Sequence, residues 1–399
     1  MKKRIKTIVR LILFILAVAL VIIAFGFWRM FGTFIVAARS IHKLQDGLYV
    51  MEYRGDYGLD EFLAQGGADS DSALARYLMG YLSGGYVTQE DVEITPGDYG
   101  CTTVCVKDKK GDVYFGRNFD WKKDRAIIVY TEPKNGYQSF STCDLDFLGF
   151  GDDYTPDGSM PERFQTLAAI YVPVDGMNEK GLVIADLMAG DDEETHQKTG
   201  KVALTTTTAI RLLLDRAANV DEAIELLKQY DMNSSIGAAH HFAIADKSGK
   251  SVVVEYVNGE MLVTETNVVT NHYLADCPKK GVGDEDSHLR FDRVSEFIGP
   301  DFVLAGGFRC HGNWVVQLPF QEVLSCIAPV SQSQMRLRYP QVYDGSNAVT
   351  LWSIVYAPGK QWADFYFRED YDNGHRLFLH PEINNKNKFI SDTPVIFID

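Results

Sequence analysis

An uninterrupted apolar run near the amino terminus constrains this chain most. Residues 11–28, LILFILAVALVIIAFGFW, contain no charge, and the first ten residues carry five Lys or Arg side chains. At about 1.5 Å per residue, a helix of this length nearly matches the ~30 Å hydrocarbon core of a bilayer. Because a helix that is apolar on every side has few other uses, and because the positive end stays in the cytoplasm, residues 1–38 are predicted to be a basic tail and membrane span.

The same run allows either an uncleaved anchor or a cleaved signal. It is longer than the usual core of a signal peptide, and the only small-residue motif, Val36-Ala37-Ala38, lies well beyond it. We therefore favour an anchor in the cell membrane. Either alternative places the rest of the chain outside the cytoplasm.

Charge and composition exclude several classes of protein. The whole chain of 399 residues has a net charge of −15, although residues 1–38 contain six basic residues and no acidic one. The rest of the chain is therefore strongly acidic and should repel the phosphates of nucleic acid, so no nucleic-acid partner is expected. The 46% apolar and 23% charged content is that of a globular protein, and six cysteines are too few for a disulfide scaffold.

The chain changes character at Gly100. Residues 39–100 predict two short helices, one after Gly58 and one after Asp69, followed by an acidic link, and they form a propeptide-like segment. From Cys101 onward most of the pattern is typical of strands joined by tight turns. Hairpins are predicted across residues 101–121, 166–188, 251–266 and 351–369, and a pair of helices across 206–230. Strands followed by helices and then strands favour an α+β fold with antiparallel sheets covered by helices.

Cys101 is the most informative single residue. The predicted hairpin folds the motif GRNFD back beside it, so that Arg117 and Asp120 return to the thiol. A cysteine needs a nearby cation or base to react as a thiolate, although Arg117 and Asp120 could equally pair with each other at a strand end. No cysteine or histidine spacing fits a zinc site; the adjacent His240 and His241 are predicted to be one core and one surface residue.

Four segments together resemble the choloylglycine hydrolase family, which includes bile salt hydrolases and penicillin V acylases. Cys101-Thr-Thr, with GRNFDW following, resembles the start of the catalytic subunit in these cysteine N-terminal-nucleophile hydrolases. DGMNEKGLVIADL resembles the block that carries an active-site Asn, here Asn178, and VVTNHYL resembles the block that carries a second one, here Asn271. LRFDRV resembles the block that supplies a late Arg, here Arg290, with Arg293 as a competitor.

The resemblance implies a four-layer αββα fold over residues 101–399 and hydrolysis of a linear N-acyl amide without a metal or organic cofactor. Cys101 would form a thioester after its own α-amine, with a pKa near 7.7–8.0, removes the thiol proton. Asn178 and Asn271 would donate to the oxyanion, while Arg117, Asp120 and Arg290 would position the amine and thiol. Since Cys101 is internal, the Gly100–Cys101 bond must first be cut, and Cys101 itself is the expected nucleophile.

Three functions stay open at this stage. The first is an exported amidase, the second an acyltransferase that uses the same thioester, and the third a non-catalytic binding module on a membrane anchor. The expected partners are a small-molecule N-acyl amide and the membrane, which the chain meets through residues 11–28. The acyl group, the amine and the oligomeric state do not follow from the sequence.

Overall fold

A computed structural model of the chain describes most of its residues. The described ranges are 2–84, 99–122, 125–151, 154–190, 193–299, 303–304, 307–310, 313–316, 319–343, 346–380 and 389–390. The acidic link predicted before Gly100 lies outside the described residues, because these resume at Tyr99.

The strands of the described residues form two large sheets and two small ones. In chain order they are β1 (His42–Gln45), β2 (Leu48–Arg54), β3 (Gly100–Asp108), β4 (Val113–Trp121), β5 (Ala126–Glu132), β6 (Ser139–Asp144), β7 (Asp175–Asn178), β8 (Leu182–Met188), β9 (Val202–Thr205), β10 (Tyr230–Asn233), β11 (His240–Asp246), β12 (Ser251–Val257), β13 (Glu260–Glu265), β14 (Val268–Val269), β15 (Val303–Leu304), β16 (Gly307–Cys310), β17 (Asn313–Val316), β18 (Val349–Ala357), β19 (Trp362–Phe367) and β20 (His375–Phe378). The larger sheet has the order β1-β2-β5-β6-β7-β8-β11-β12-β13. The second has the order β14-β3-β4-β18-β19-β20, with β15 beside β3.

Helices cover the outer faces of both sheets. In chain order, the helices of the described residues are α1 (Lys2–Ser40), α2 (Leu59–Ala64), α3 (Asp71–Leu82), α4 (Met160–Thr166), α5 (Thr206–Arg216), α6 (Val220–Leu227), α7 (Glu285–Ile298), α8 (Pro319–Ile327) and α9 (Gln332–Arg338). Helices α5 and α6 pack on the larger sheet, α7, α8 and α9 pack on the second, and the inner faces of the sheets meet between them. The predicted αββα layering, with mostly antiparallel strands, is therefore confirmed.

The main core lies between the two sheets. Phe140 of β6 stacks on Tyr356 of β18 with ring centroids 6.0 Å apart, which joins one sheet to the other. Phe119 of β4 stacks on Trp352 of β18 at 4.1 Å. These aromatic side chains are almost fully buried, so the inner faces are fixed by large, closely packed rings.

The hairpins joining β3 to β4, β12 to β13 and β18 to β19 occur where they were predicted. The strand predicted over residues 166–174 is wrong, because Leu167–Tyr171 form a 3₁₀ helix that continues α4. The Ser159–Glu162 capping box and Pro161 start that helix, whereas a continuous apolar run cannot by itself distinguish strand from helix. The turn of that predicted hairpin, residues 178–181, is present and links β7 to β8.

The helical description of residues 39–100 is incomplete. Both predicted helices are present as α2 and α3, but β1 and β2 precede them and belong to the larger sheet. Strand β2 pairs in parallel with β5, from Leu48 beside Ala126 to Arg54 beside Glu132. The partner strand lies more than seventy residues away in sequence, so no local turn signal announces the pairing.

Helix α1 is one continuous helix with two different surroundings. Its residues Val9–Ser40 are long and apolar enough to cross a membrane, and the apolar side chains between Leu11 and Met30 are exposed in the isolated chain. Its last turns instead pack on β2 and α4, where Phe34, Ala37 and Ala38 are buried. The helix is compatible with a signal or an anchor, and its carboxyl end forms part of the core of the domain.

Candidate active site

The β3–β4 hairpin builds the first part of the site. Its register places Gly100 beside Asp120, Cys101 beside Phe119 and Thr103 beside Arg117. Cys101 is 5% exposed, and its Sγ lies 3.7 Å from Nη2 of Arg117. The sequence prediction that the hairpin returns a guanidinium to the thiol therefore describes the observed geometry.

Arg117 is held by the opposite sheet. Its Nε lies 2.8 Å from Oδ2 of Asp175, and its Nη1 donates to the backbone oxygen of Asp186 at 2.7 Å. Asp120 instead accepts from Thr350 Oγ1 at 2.6 Å and from Gln332 Nε2 at 3.2 Å. The two residues thus do not simply pair with each other, and one cation stays next to the thiol.

The uncut chain keeps the nucleophile neutral. Burial raises the pKa of the Cys101 thiol to about 12, although the Arg117 guanidinium and the backbone amide of Asp120 favour the thiolate. Burial also raises the pKa of the Asp120 carboxyl to about 6, against the opposing effects of Arg290 and of the hydrogen bonds from Thr350 and Gln332. At neutral pH the thiol therefore needs a base before it can attack.

Gly100 stands where no side chain fits. A Cβ built there would lie 2.7 Å from Gln332 Nε2 and 2.8 Å from Asp120 Oδ2. Both distances are shorter than ordinary van der Waals contact. A glycine ahead of Cys101 thus lets this peptide pass directly against the Asp120 carboxylate.

Asn271 and Arg290 hold the backbone of Cys101. The Cys101 N–H donates to Asn271 Oδ1 at 2.7 Å, and Asn271 Nδ2 donates to the backbone oxygen of Met188 at 2.7 Å. Arg290 Nη2 donates to Asn271 Oδ1 at 2.9 Å, and Arg290 Nη1 donates to the Cys101 oxygen. Arg290 also forms an ion pair with Asp286, in addition to its contact with the Cys101 oxygen. Arg290, and not its competitor Arg293, occupies this position.

The structure does not bring Asn178 into this site, which argues against its predicted role as an oxyanion donor. Its Nδ2 donates to the backbone oxygens of Leu214 and Ala217 at 3.0 and 2.7 Å. Its Oδ1 accepts from the backbone amides of Lys180 and Leu182 at 3.0 and 3.1 Å. Every polar atom of the side chain is therefore used to fix the β7–β8 turn and the end of α5, which is the usual structural use of Asn.

Asp186 and His240 line the same cavity as Cys101 instead, although no sequence motif indicated this position for them. The Nδ1 of His240 lies 2.9 Å from Asp186 Oδ1, and its Nε2 lies 3.0 Å from the Ser235 oxygen. Both ring nitrogens face acceptors, which is satisfied only by the doubly protonated ring. Burial disfavours that charge, yet the Asp186 carboxylate and the Ser235 oxygen raise the pKa of His240 overall. The sequence feature that could have indicated Asp186 is its position as an acidic residue inside the otherwise apolar strand LVIADLM.

The prediction of one core and one surface histidine is also wrong. His240 and His241 are both buried, at 7% and 0% exposure. They point to opposite faces of β11, and His241 lies 3.2 Å from Glu255 and 2.8 Å from the Thr270 oxygen. Each histidine has its own acceptors, which is how a buried imidazole is tolerated.

Two cavities that share part of their lining lie at and near Cys101. The smaller is lined by Tyr99, Cys101, Phe119, Asp120, Trp121, Phe147, Asp186, Met188, Ile236 and His240. The larger shares Phe147, Asp186, Ile236 and His240 with it and continues along α3. Trp121 therefore borders the space beside the nucleophile.

The sequence of this site matches a known family. Residues 101–273 match the family model described as linear amide C-N hydrolases, choloylglycine hydrolase family. This range contains Cys101, Arg117, Asp120 and Asn271. This segment is therefore similar to the choloylglycine hydrolase family. Arg290 lies beyond the matched range.

Curated relatives extend the match. A penicillin V acylase from Pectobacterium atrosepticum is 31% identical over 214 residues, which cover 50% of this chain and 53% of the relative. A bile salt hydrolase/transferase from Clostridium perfringens is 26% identical over 233 residues, which cover 55% of this chain and 67% of the relative. The chain thus spans about half the length of the first of these relatives.

Solved structures of a bile acid hydrolase and a penicillin V acylase also align with this chain. A conjugated bile acid hydrolase from Clostridium perfringens aligns with a TM-score of 0.42 at 16% identity, covering 74% of this chain and 97% of that one. A penicillin V acylase from Agrobacterium tumefaciens aligns with a TM-score of 0.40 at 18% identity, covering 70% of this chain and 86% of that one.

Proposed function

We propose that this protein hydrolyses a linear N-acyl amide through a thioester on Cys101. One observation carries the proposal: Cys101 has its sulfur 3.7 Å from Arg117 and its backbone nitrogen 2.7 Å from Asn271 Oδ1. The nitrogen and the sulfur of one residue are thereby both held by buried polar groups, as an N-terminal nucleophile requires. The match of residues 101–273 to a family model of linear amide hydrolases supports it.

The first step cuts the chain. The Cys101 sulfur attacks the Gly100 carbonyl, the carbon–nitrogen bond breaks, and the proton from sulfur passes to the leaving Cys101 amine. Water then hydrolyses the resulting Gly100 thioester, which leaves a carboxylate on Gly100 and a free thiol and amine on Cys101. The lack of room for a side chain at Gly100 and the Asp120 carboxylate beside it suit attack on this one bond.

The second step acts on the substrate. The freed amine, with a pKa near 8, removes the thiol proton, and the sulfur attacks the amide carbonyl to form an acyl thioester while the amine product leaves with that proton. Water then releases the acid. Asn271 Nδ2 carries a second hydrogen besides the one donated to Met188, and this hydrogen is the proposed oxyanion donor.

We further propose that α1 stays attached as an anchor and that residues 39–399 lie outside the cytoplasm. Cleavage at the only small-residue motif would remove Phe34 and Ala37 from the core, and Ala38 itself is fully buried. Arg163 also donates to the backbone oxygens of Ala38 and Ile41, at 3.1 and 2.7 Å. An intact α1 keeps all of these contacts.

The test follows the fragments and the products of the purified full chain. We expect wild-type protein to yield a large fragment whose first residue is Cys101, and Cys101→Ala to stay whole and inactive. A panel of N-acyl amides, including conjugated bile acids and phenoxyacetyl amides, should give free acid and amine by mass spectrometry. Active protein that stays uncut would contradict the processing step, and protein that binds an N-acyl amide without hydrolysing it would favour a binding module. A new amide formed when a second amine is added would identify acyl transfer.

A further inference from the structure

The larger cavity is lined mostly by apolar side chains, and one of its walls is helix α3, which precedes Cys101 in the chain. Along α3 it is lined by Leu74, Ala75, Leu78, Met79 and Leu82, and facing them lie Leu148, Phe150 and Val172 of the catalytic domain. From Asp71 to Leu82 this wall runs about 16 Å at the rise of an α-helix. A segment that precedes the nucleophile thus forms one side of a space that leads to it.

The charged groups of the cavity cluster where it meets Cys101. Asp186 and His240 line both cavities, and Asp71, at the start of α3, accepts from the Ile236 amide at 2.7 Å. The residues toward the other end of α3 are apolar. The cavity is therefore polar near the sulfur and hydrocarbon-like away from it, as an amphiphile with a long acyl chain requires.

The far end of α3 lies against the membrane helix. Tyr81 packs edge-on against Phe34 of α1 with ring centroids 5.5 Å apart. A Cβ on Gly84 would lie 3.2 Å from Phe31 and 3.7 Å from the Met30 sulfur. Since Met30 is two residues beyond the uncharged run that ends at Trp28, the Leu82 end of the cavity lies next to the point where α1 leaves the domain.

We propose that this cavity binds the hydrocarbon chain of an amide lipid, which enters from the bilayer at the junction of α1 and α3. The proposal rests on the amidase activity proposed above and names its substrate class. The acyl chain lies along α3, and the amide carbonyl reaches Cys101 past Asp186 and His240. Helix α3 must then stay in place after the chain is cut, because without it the acyl chain has lost one wall.

Two neighbouring positions on α3 give a matched test. Ala75 lines the cavity, whereas Arg76 is exposed and is not part of the lining. We expect Ala75→Trp to lower the ratio of kcat/KM for a palmitoyl amide to that for a butyryl amide of aminomethylcoumarin at least 10-fold, while Arg76→Trp keeps the wild-type ratio. An unchanged ratio in Ala75→Trp, or the same fall in both variants, would overturn the assignment.

Binding separates this proposal from the proposed chemistry. If wild-type protein hydrolyses neither amide, the function fails, but a pyrene-labelled palmitoyl amide should still bind Cys101→Ala and be excluded from the Cys101→Ala/Ala75→Trp double variant. Equal binding by both proteins would refute the cavity assignment independently of catalysis.

Entry from the bilayer has its own measurement. Full-length protein is reconstituted into phosphatidylcholine vesicles that contain the palmitoyl amide, and vesicle lipid is increased at a fixed bulk concentration of amide. We expect the rate to fall as the mole fraction of amide in the lipid falls, while hydrolysis of the butyryl amide stays constant. If the rate of palmitoyl amide hydrolysis did not change with the mole fraction, the substrate would arrive from water.

Discussion

At the scale of single residues, what could be predicted depended on how local the contacts are. Cys101, Arg117 and Asp120 meet through one hairpin, so spacing alone brings them together. Asn271 comes from 170 positions away, and only the family resemblance indicated it. Asn178 sits in an equally suggestive motif, but a side chain that caps a turn has the same sequence signature as one that donates to an oxyanion.

Replacing each asparagine separates these two uses. Asn178→Ala leaves two backbone oxygens and two backbone amides without partners, so we expect the free energy of unfolding to fall by roughly 2 kcal/mol or more, with kcat of the folded protein within about twofold of wild type. Asn271→Ala should instead lower kcat by about 10²–10³-fold. Urea unfolding and kinetics on a soluble short-chain amide check both. A large loss of kcat in Asn178→Ala would restore that residue to the site.

The buried pair of His240 and Asp186 makes stability depend on pH. Because the pKa of His240 is raised in the folded state, its contribution is fully present below the unfolded value near 6.5 and is lost as pH rises through the folded value. We expect the stability advantage of wild type over His240→Gln to be larger at pH 6 than at pH 9. An advantage that grows with pH would mean that His240 is buried neutral.

At the scale of elements, hairpins with short turns followed from the sequence, and the non-local pairings did not. Strand-like runs on either side of tight turns locate β3, β4, β18 and β19, but the parallel pairing of β2 with β5 joins segments on either side of Cys101. Residues 39–100 thus contribute a mostly buried strand, β2, and not only helices. This favours a retained subunit over a discarded propeptide.

We therefore expect the two fragments to stay together after the Gly100–Cys101 bond is cut. Five apolar side chains of this segment are fully buried: Leu48, Val50, Met51, Tyr53 and Phe62. Because burying each one contributes about 1.5–3 kcal/mol, dissociation of the fragments would cost roughly 10 kcal/mol of hydrophobic stabilisation. A cut sample should give two bands under denaturing conditions and one species by native size exclusion in detergent. Separation of the fragments in native buffer would show that the segment is a releasable propeptide.

At the scale of the whole molecule, the exposed apolar part of α1 continues into the domain without a flexible linker. Because its last turns are buried against β2 and α4, the domain has a fixed orientation relative to the helix axis. The uncharged run was evident in the sequence, whereas this docking was not, since Phe34, Ala37 and Ala38 carry no pattern that distinguishes a linker from a core contact.

The orientation is open to a direct test. In right-side-out membrane vesicles we expect added protease to remove an epitope at the carboxyl terminus and to spare an epitope at the amino terminus until detergent is present. The five positive charges of the first ten residues are the physical reason. The reverse protection pattern would place the domain in the cytoplasm, and release of the domain into the supernatant without protease would show that α1 is a cleaved signal.

The parallel pairing of β2 with β5 affects how the protein folds and whether it can refold after it has been cut. A newly synthesised chain brings these strands together as parts of one molecule, so their encounter follows first-order kinetics. Once the link ahead of Cys101 is gone, the same encounter is a collision between two molecules, and its speed depends on dilution. A mature enzyme that unfolds would then recover poorly at low concentration, although its uncut precursor had folded readily.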